Sequence, residues 1–226
     1  MTTESIATSW RTAWRDPSFR VRALITIPVL FATLSALAQF LQRVEHRPGV
    51  LLPDPLLSLF APVDVNWLTF ALIYIGLFAA VGSLLRHPHR LLFAFQAYVI
   101  MVVCRIIAMT LVPLDPPATP FPLQDPFVEF FGTGQALTRD LFFSGHTSTL
   151  FLFFLVTPRG TLKTVFLVCT VVVGSAVLVQ HVHYAIDVFV APFFSYAAFK
   201  IAGRLNHRQP IGDDMHGATR IHRAAP

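Results

Sequence analysis

Several residues in this chain are of types and spacings that suit chemistry on an anionic centre. His183 and Asp187 stand four apart, so on a helix they share one face and can touch. A carboxylate accepting from one imidazole nitrogen fixes the tautomer and leaves the other nitrogen as base or nucleophile. The same pair can also do no more than satisfy itself at a helix end. Ser144-Gly145-His146-Thr147 precedes an apolar run. There Ser144 suits a helix cap, and the N–H groups beyond it suit an anion. His146 then stands where it can pass a proton to a leaving oxygen; the alternative is a plain cap, with His146 an interfacial residue. Arg105 lies inside another apolar run, and Asp140 sits just ahead of the serine. An arginine in that setting keeps its proton and must find an anion. That anion is Asp187 or Asp140 in one reading, and in the other a substrate phosphate matched by the guanidinium fork. His181 either binds the same anion or lies in the interface beside His183.

The elements that must position these residues are membrane-spanning. Of 226 residues 54% are hydrophobic and only 13% charged, where a soluble domain carries about a quarter charged. Apolar runs fall at 21–41, 65–85, 91–113, 141–157, 162–180 and 184–203, most of them near the roughly 20 residues that a bilayer crossing needs. The predicted fold is all-α, a polytopic bundle of about six transmembrane helices. Its fourth run is short unless Asp140 and its neighbours are included. The first run ends Ala36-Leu37-Ala38, a pattern like a signal-peptidase site; the run is long for a signal sequence and reads as a retained helix.

Residues 1–20 form an N-terminal segment in which Trp10, Arg11, Trp14 and Arg15 suit a membrane surface. Residues 21–205 make the transmembrane domain, and 206–226, polar with Pro210, Gly212 and Gly217, read as a mobile tail. The long connections 42–64 and 114–140 are Pro-rich; the other three are short. In this topology Arg11, Arg15, Arg20, Arg22, Arg86, Arg90, Arg159, Lys163, Lys200, Arg204, Arg208, Arg220 and Arg223 fall on one side. Only Arg43, Arg47 and Arg139 fall on the other. The bias predicts cytoplasmic termini and outward long loops. All the polar groups named above then gather at the outward ends of helices three to six. The net charge of +5 is spread over helix ends, not clustered with aromatics, so no nucleic-acid partner is expected. Cys104 and Cys169 lie inside apolar runs and read as buried free thiols. His87 and His89, among arginines on the basic side, suit a surface or lipid-headgroup role.

Ser144-Gly145-His146 followed by His183-x-x-x-Asp187 resembles the lipid phosphatase and phosphotransferase superfamily known as type 2 phosphatidic acid phosphatases. The pattern is more similar to its sphingomyelin synthase branch. Asp140 four residues before the Ser-Gly-His-Thr run, His183-Tyr184-Ala185-Ile186-Asp187-Val188 with Ala191 beyond, and Arg105 followed by Met109 and Leu111-Val112-Pro113 all resemble that branch. The similarity spans about residues 98–196. Where superfamily phosphatases place an Arg six residues before the second His, this chain has Val177. Their Lys–Arg-Pro motif is missing too, since the only lysines are Lys163 and Lys200.

The resemblance implies a head-group phosphotransferase without cofactor or metal. His183, oriented by Asp187, attacks the phosphorus of a phospholipid donor and forms a phosphohistidine. His146 protonates the leaving diacylglycerol oxygen and then deprotonates a ceramide-like lipid alcohol. Arg105 holds developing charge; Asp140, Ser144, Gly145, Thr147, His181 and Tyr184 complete the phosphate-binding surroundings. Two other readings stand beside it: a lipid phosphate phosphatase, with water as acceptor, and a non-catalytic lipid-binding membrane protein.

Overall fold

The structure, a computed structural model, describes residues 5–118, 120–121 and 137–206. Residues 1–4, most of the second Pro-rich connection and the tail from 207 onward lie outside the described residues. Seven α-helices carry the described chain: α1 (Ile6–Arg15), α2 (Pro17–Glu45), α3 (Asn66–Leu84), α4 (Pro88–Leu111), α5 (Gly145–Val156), α6 (Thr161–Val179) and α7 (Ala185–Leu205).

Local chemistry sets their boundaries. Asp16 closes α1 and opens α2, its carboxylate accepting from the backbone N–H of Ser18 at 2.9 Å. Hydrogen bonds from the Ser18 hydroxyl and backbone hold its pKa below the usual carboxylate value. Pro17 and Pro88 occupy the first helical positions of α2 and α4, where the missing N–H costs nothing. Between α5 and α6 the turn holds Pro158 and Gly160, the glycine at a φ of 145°. Gln180 and His181, the latter left-handed with φ 54°, end α6 and turn the chain into α7.

Five helices, α2, α3, α4, α6 and α7, are long and apolar enough to cross a membrane. The chain therefore has the make-up of a multi-pass membrane protein. The expected fourth span is shorter than its apolar run, because α5 has 12 residues and measures about 18 Å. Its run begins at 141, but Phe142 and Phe143 adopt left-handed conformations (φ 63° and 43°) and delay the helix until Ser144 caps it. Where expectation placed the other spans, the structure has helices within a few residues.

The core lies between α4, α5 and α7. Ala97, Met101 and Ala108 of α4 meet Leu152 of α5 and Ala191, Ala198 and Ala202 of α7, all buried. Small residues on α7 let the helix backbones approach, the usual means of packing where hydrocarbon surrounds the bundle. The Ser195 hydroxyl, fully buried, donates across to Ser148 O at 2.8 Å. By contrast α2 is peripheral, with 6% of its most apolar window buried against 44% for α4. At one end of the bundle Arg22 Nη1 donates to Asn206 Oδ1 at 3.2 Å, and Asn206 Nδ2 to Gln96 Oε1 at 2.7 Å. These bonds place the start of α2, the first turns of α4 and the end of α7 together. The opposite end collects the C-termini of α2, α4 and α6 with the N-termini of α3, α5 and α7.

At that opposite end the connections knit together. Val50 and Leu114 form a parallel bridge, with Val50 N–H to Pro113 O at 3.0 Å and Asp115 N–H to Val50 O at 3.1 Å. Gly49 allows this approach, since a Cβ there would stand 2.4 Å from the Leu114 carbonyl carbon. Glu45 accepts from the Thr138 and Arg139 N–H groups, both at 3.0 Å, and Arg139 pairs with Asp115 at 2.5 Å.

Candidate active site

The site grows from the start of two helices and the interior of a third. Ser144 Oγ accepts from Thr147 N–H at 3.3 Å and contacts Thr147 Oγ1 at 3.1 Å. Both residues are buried, and these contacts cap the start of α5. The turn N-terminal to Ser144 is strained at two phenylalanines, because left-handed backbone is uncommon for bulky residues. Phe143 is anchored by stacking on Phe194 of α7 at 4.3 Å and 11°, and its carbonyl is thereby turned inward.

Arg105 receives that carbonyl. It lies six residues before the end of α4, only 5% exposed. Its Nη1 donates to Phe143 O at 2.5 Å and its Nη2 to Asp140 Oδ1 at 2.6 Å. Of the partners considered from sequence, the protein anion is thus Asp140 and not Asp187. Burial works to raise the Asp140 pKa, but the charge and hydrogen bond of Arg105, with smaller contributions from His183 and His146, outweigh it and hold the carboxyl below its usual value. Gly145 completes the fit: a Cβ there would stand 2.7 Å from Arg105 Nη1 and 2.8 Å from its Cζ. Only a glycine lets the guanidinium lie against the first turn of α5.

The second helix start is that of α7. His183 Nδ1 meets Asp187 Oδ2 at 3.2 Å, with the two side chains 3% and 0% exposed. The same Oδ2 accepts from Tyr184 N–H at 3.2 Å, a capping interaction that fixes the carboxylate. Asp187 Oδ1 is buried with no hydrogen-bond partner among the described residues. The two helix starts are joined directly, Ser144 N–H donating to Asp187 O at 3.0 Å. His146 is half-buried, its ring edge-on to Phe70 of α3 at 5.8 Å. His181 is buried beside Phe60 at 5.3 Å.

Tyr184 bonds across to both long connections. Its buried hydroxyl donates to Asp115 O at 2.8 Å and accepts from Leu52 N–H at 3.3 Å. It clamps the two long connections to the start of α7. Asp54, unremarked in the sequence, reaches in from the first connection, and its Oδ2 accepts from Ala185 N–H at 2.7 Å. An Asp between two prolines reads as a turn residue, so no local signal marks this role. Among the described residues no group of three or more His, Cys, Asp or Glu side chains is arranged to hold a metal ion.

The arrangement therefore holds an imidazole with one nitrogen tied to a carboxylate, a second imidazole nearby, an arginine and a helix N-terminus. Residues 139–204 match the model of a family described as the PAP2 superfamily C-terminal. The match takes in Asp140, Ser144, Gly145, His146, Thr147, His181, His183, Tyr184 and Asp187, while Arg105 lies upstream of it. It supports the type 2 phosphatidic acid phosphatase superfamily, a class of lipid phosphatases and phosphotransferases. No curated protein matches the chain.

Proposed function

We propose that this chain is a membrane lipid head-group phosphotransferase. It would move phosphocholine or phosphoethanolamine from a glycerophospholipid to ceramide or a similar lipid alcohol. The buried contact between His183 Nδ1 and Asp187 Oδ2 carries the reading. It keeps the proton on Nδ1 and turns the basic lone pair of Nε2 outward. Nε2 attacks phosphorus, the bond to the diacylglycerol oxygen breaks, and a phosphohistidine forms whose cationic ring is balanced by Asp187. His146 gives its proton to the departing oxygen; it then takes one from the incoming hydroxyl, whose oxygen bonds to phosphorus as the P–Nε2 bond breaks and frees His183, as microscopic reversibility requires. The oxygens of the transferred group gain charge toward the N-terminus of α5 and the guanidinium of Arg105.

Asp140 takes part through Arg105, holding its fork in place until a phosphate competes for it. Residues 21–205 form the working domain in this scheme. The basic end of the bundle lies in the cytoplasm with both termini, and the site faces the other side. The superfamily match applies equally to lipid phosphatases, so hydrolysis of a lipid phosphate is the second reading.

The test is head-group transfer in vesicles containing labelled phosphatidylcholine or phosphatidylethanolamine and ceramide, with His183→Ala beside the wild type. A labelled phosphosphingolipid formed only by the wild type is the expected result. Free phosphate from phosphatidic acid without transfer would move the assignment to a phosphatase. Lipid binding without turnover of any lipid would overturn both.

A further inference from the structure

At the basic end of the bundle a cavity of about 270 Å³ opens between α1 and the turn into α4, lined by Ser9, Thr12, Arg86, His87, His89 and Arg90, with Ala13 and Pro88 at its floor. We propose that it binds the phosphate group of an anionic ligand, either a phosphomonoester lipid headgroup or a soluble phosphorylated molecule.

The lining is one-sided in charge. Two arginines and two imidazoles line it, two hydroxyls add donors from α1, and no carboxylate lines it among the described residues. Asp16, at the end of α1, is engaged by the Ser18 hydroxyl at 2.8 Å through both carboxylate oxygens. Arg86 and His87 are exposed, and neither makes a side-chain hydrogen bond or ion pair among the described residues. The cavity also sits at the N-terminus of α4, whose cap residue His87 makes no side-chain cap bond. The positive end of that helix adds to the field of the side chains. A cavity of this size is small for a drug-like molecule and suits a phosphate with a short substituent.

Its walls are fixed. Trp10 Nε1 donates to Leu85 O at 2.8 Å, which holds α1 against the α3–α4 turn. Phe19 is fully buried under the ring of His89 at 4.8 Å. On α1 and the start of α2, Ile6, Trp14 and Val21 are exposed, apolar side chains suited to the boundary of the hydrocarbon, where lipid phosphates lie. Arg90 stands 15 residues before Arg105 on α4, roughly 22 Å at 1.5 Å per residue. The cavity is therefore a separate site, and its occupancy can be tested independently of the reaction at His183.

The experiment uses the full chain with His183→Ala, so that no lipid is consumed, in phosphatidylcholine nanodiscs carrying a photoactivatable phosphatidic acid with its reactive group near the phosphate. Labelled peptides are mapped by mass spectrometry. Label is expected on the segments holding Ser9–Thr12 and Arg86–Arg90. It should fall by about tenfold or more in Arg86→Gln/Arg90→Gln, since each basic residue near a lipid surface contributes about a factor of five. Arg86→Lys/Arg90→Lys should retain it, which excludes misfolding as the cause. Lys200→Gln, which removes a charge at the same end but outside the cavity, should leave it unchanged. Millimolar glycerol 3-phosphate that competes the label away identifies a soluble ligand; label that resists it identifies a lipid headgroup. Label absent from both segments, undiminished in the glutamine pair, or equally lost in Lys200→Gln would overturn the proposal.

Discussion

Replacing Gly145 with alanine tests whether Arg105 is seated as described. The new Cβ would meet Arg105 Nη1 at 2.7 Å and Cζ at 2.8 Å, where ordinary contacts between heavy atoms lie near 3.5 Å or beyond. The guanidinium must retreat by about 0.7 Å, but it is held by two short bonds, to Phe143 O and Asp140. One of them is expected to break. A hydrogen bond to a charged group contributes about 1.5–3 kcal/mol, so the substitution should cost about 2 kcal/mol, or about 4–8 °C in Tm for a chain of this size. Crowding alone does not prove the partner, so the decisive comparison is a double-mutant cycle. In an Arg105→Ala background the space beside residue 145 is empty, and the alanine should then cost almost nothing. Melting in detergent of the two single variants, the double variant and the wild type gives the coupling directly, expected at about 1.5–2 kcal/mol. Equal Tm losses in both backgrounds would refute the seating of Arg105 against α5.

Other expectations follow from the same geometry. Because the folded Asp140 carboxyl titrates below its ordinary value of 3.8, its contribution to stability is complete above that value and is lost as pH falls through the folded pKa. Asp140→Asn should therefore flatten the fall of Tm below about pH 4; curves that stay parallel to the wild type would rule this out. Asp54→Ala removes the acceptor of the Ala185 N–H and should cost about 1 kcal/mol, as the loss of a helix cap does. Amide exchange should quicken at the start of α7 and not at the basic end, with slower transfer because His183 lies just ahead of that turn.

Much of the bundle was legible because its apolar runs are separated by short polar turns. The structure ends α3 at Leu84 and starts α4 at Pro88, where Arg86-His87-Pro88 interrupts the hydrophobicity. The pairing of His183 with Asp187 was legible as a spacing of four at a helix start, although His183 lies one residue ahead of the Tyr184 cap and not on the helix itself. The start of α5 was harder. Periodicity and composition continue through Leu141–Phe143, and only the left-handed turn at the two phenylalanines, with Phe143 packed against Phe194, keeps the helix from starting there. The partner of Arg105 could not be read either, since Asp140 and Asp187 were equally plausible anions and the Phe143 carbonyl carries no side-chain signature. Tyr184 and Asp54 illustrate the same limit. Their bonds join a Pro-rich connection to a helix more than a hundred residues away, and no local pattern records such a contact.

The brevity of α5 has a consequence for how material reaches the site. Its last turn is held at the basic end by Lys163, whose Nζ donates to Phe154 O at 2.6 Å and Thr157 O at 3.3 Å. Measured from there, its first residue stops about 12 Å short of the far edge of a hydrocarbon layer about 30 Å thick. Arg105, six residues inside α4, is sunk by about 9 Å on its own count. α4 runs six residues past Arg105, while α7 begins level with α5, Ser144 N–H donating to Asp187 O. Irregular backbone survives at such depth only where protein encloses it, and Leu141, Phe143 and Ser144 are indeed buried. An anion that descends to Arg105 leaves bulk water behind, while fatty chains attached to it need never leave the oil. In the proposed reaction the head would be met at the level of the tails, so the journey that membranes make most difficult, lifting a lipid out of the leaflet, would not be required.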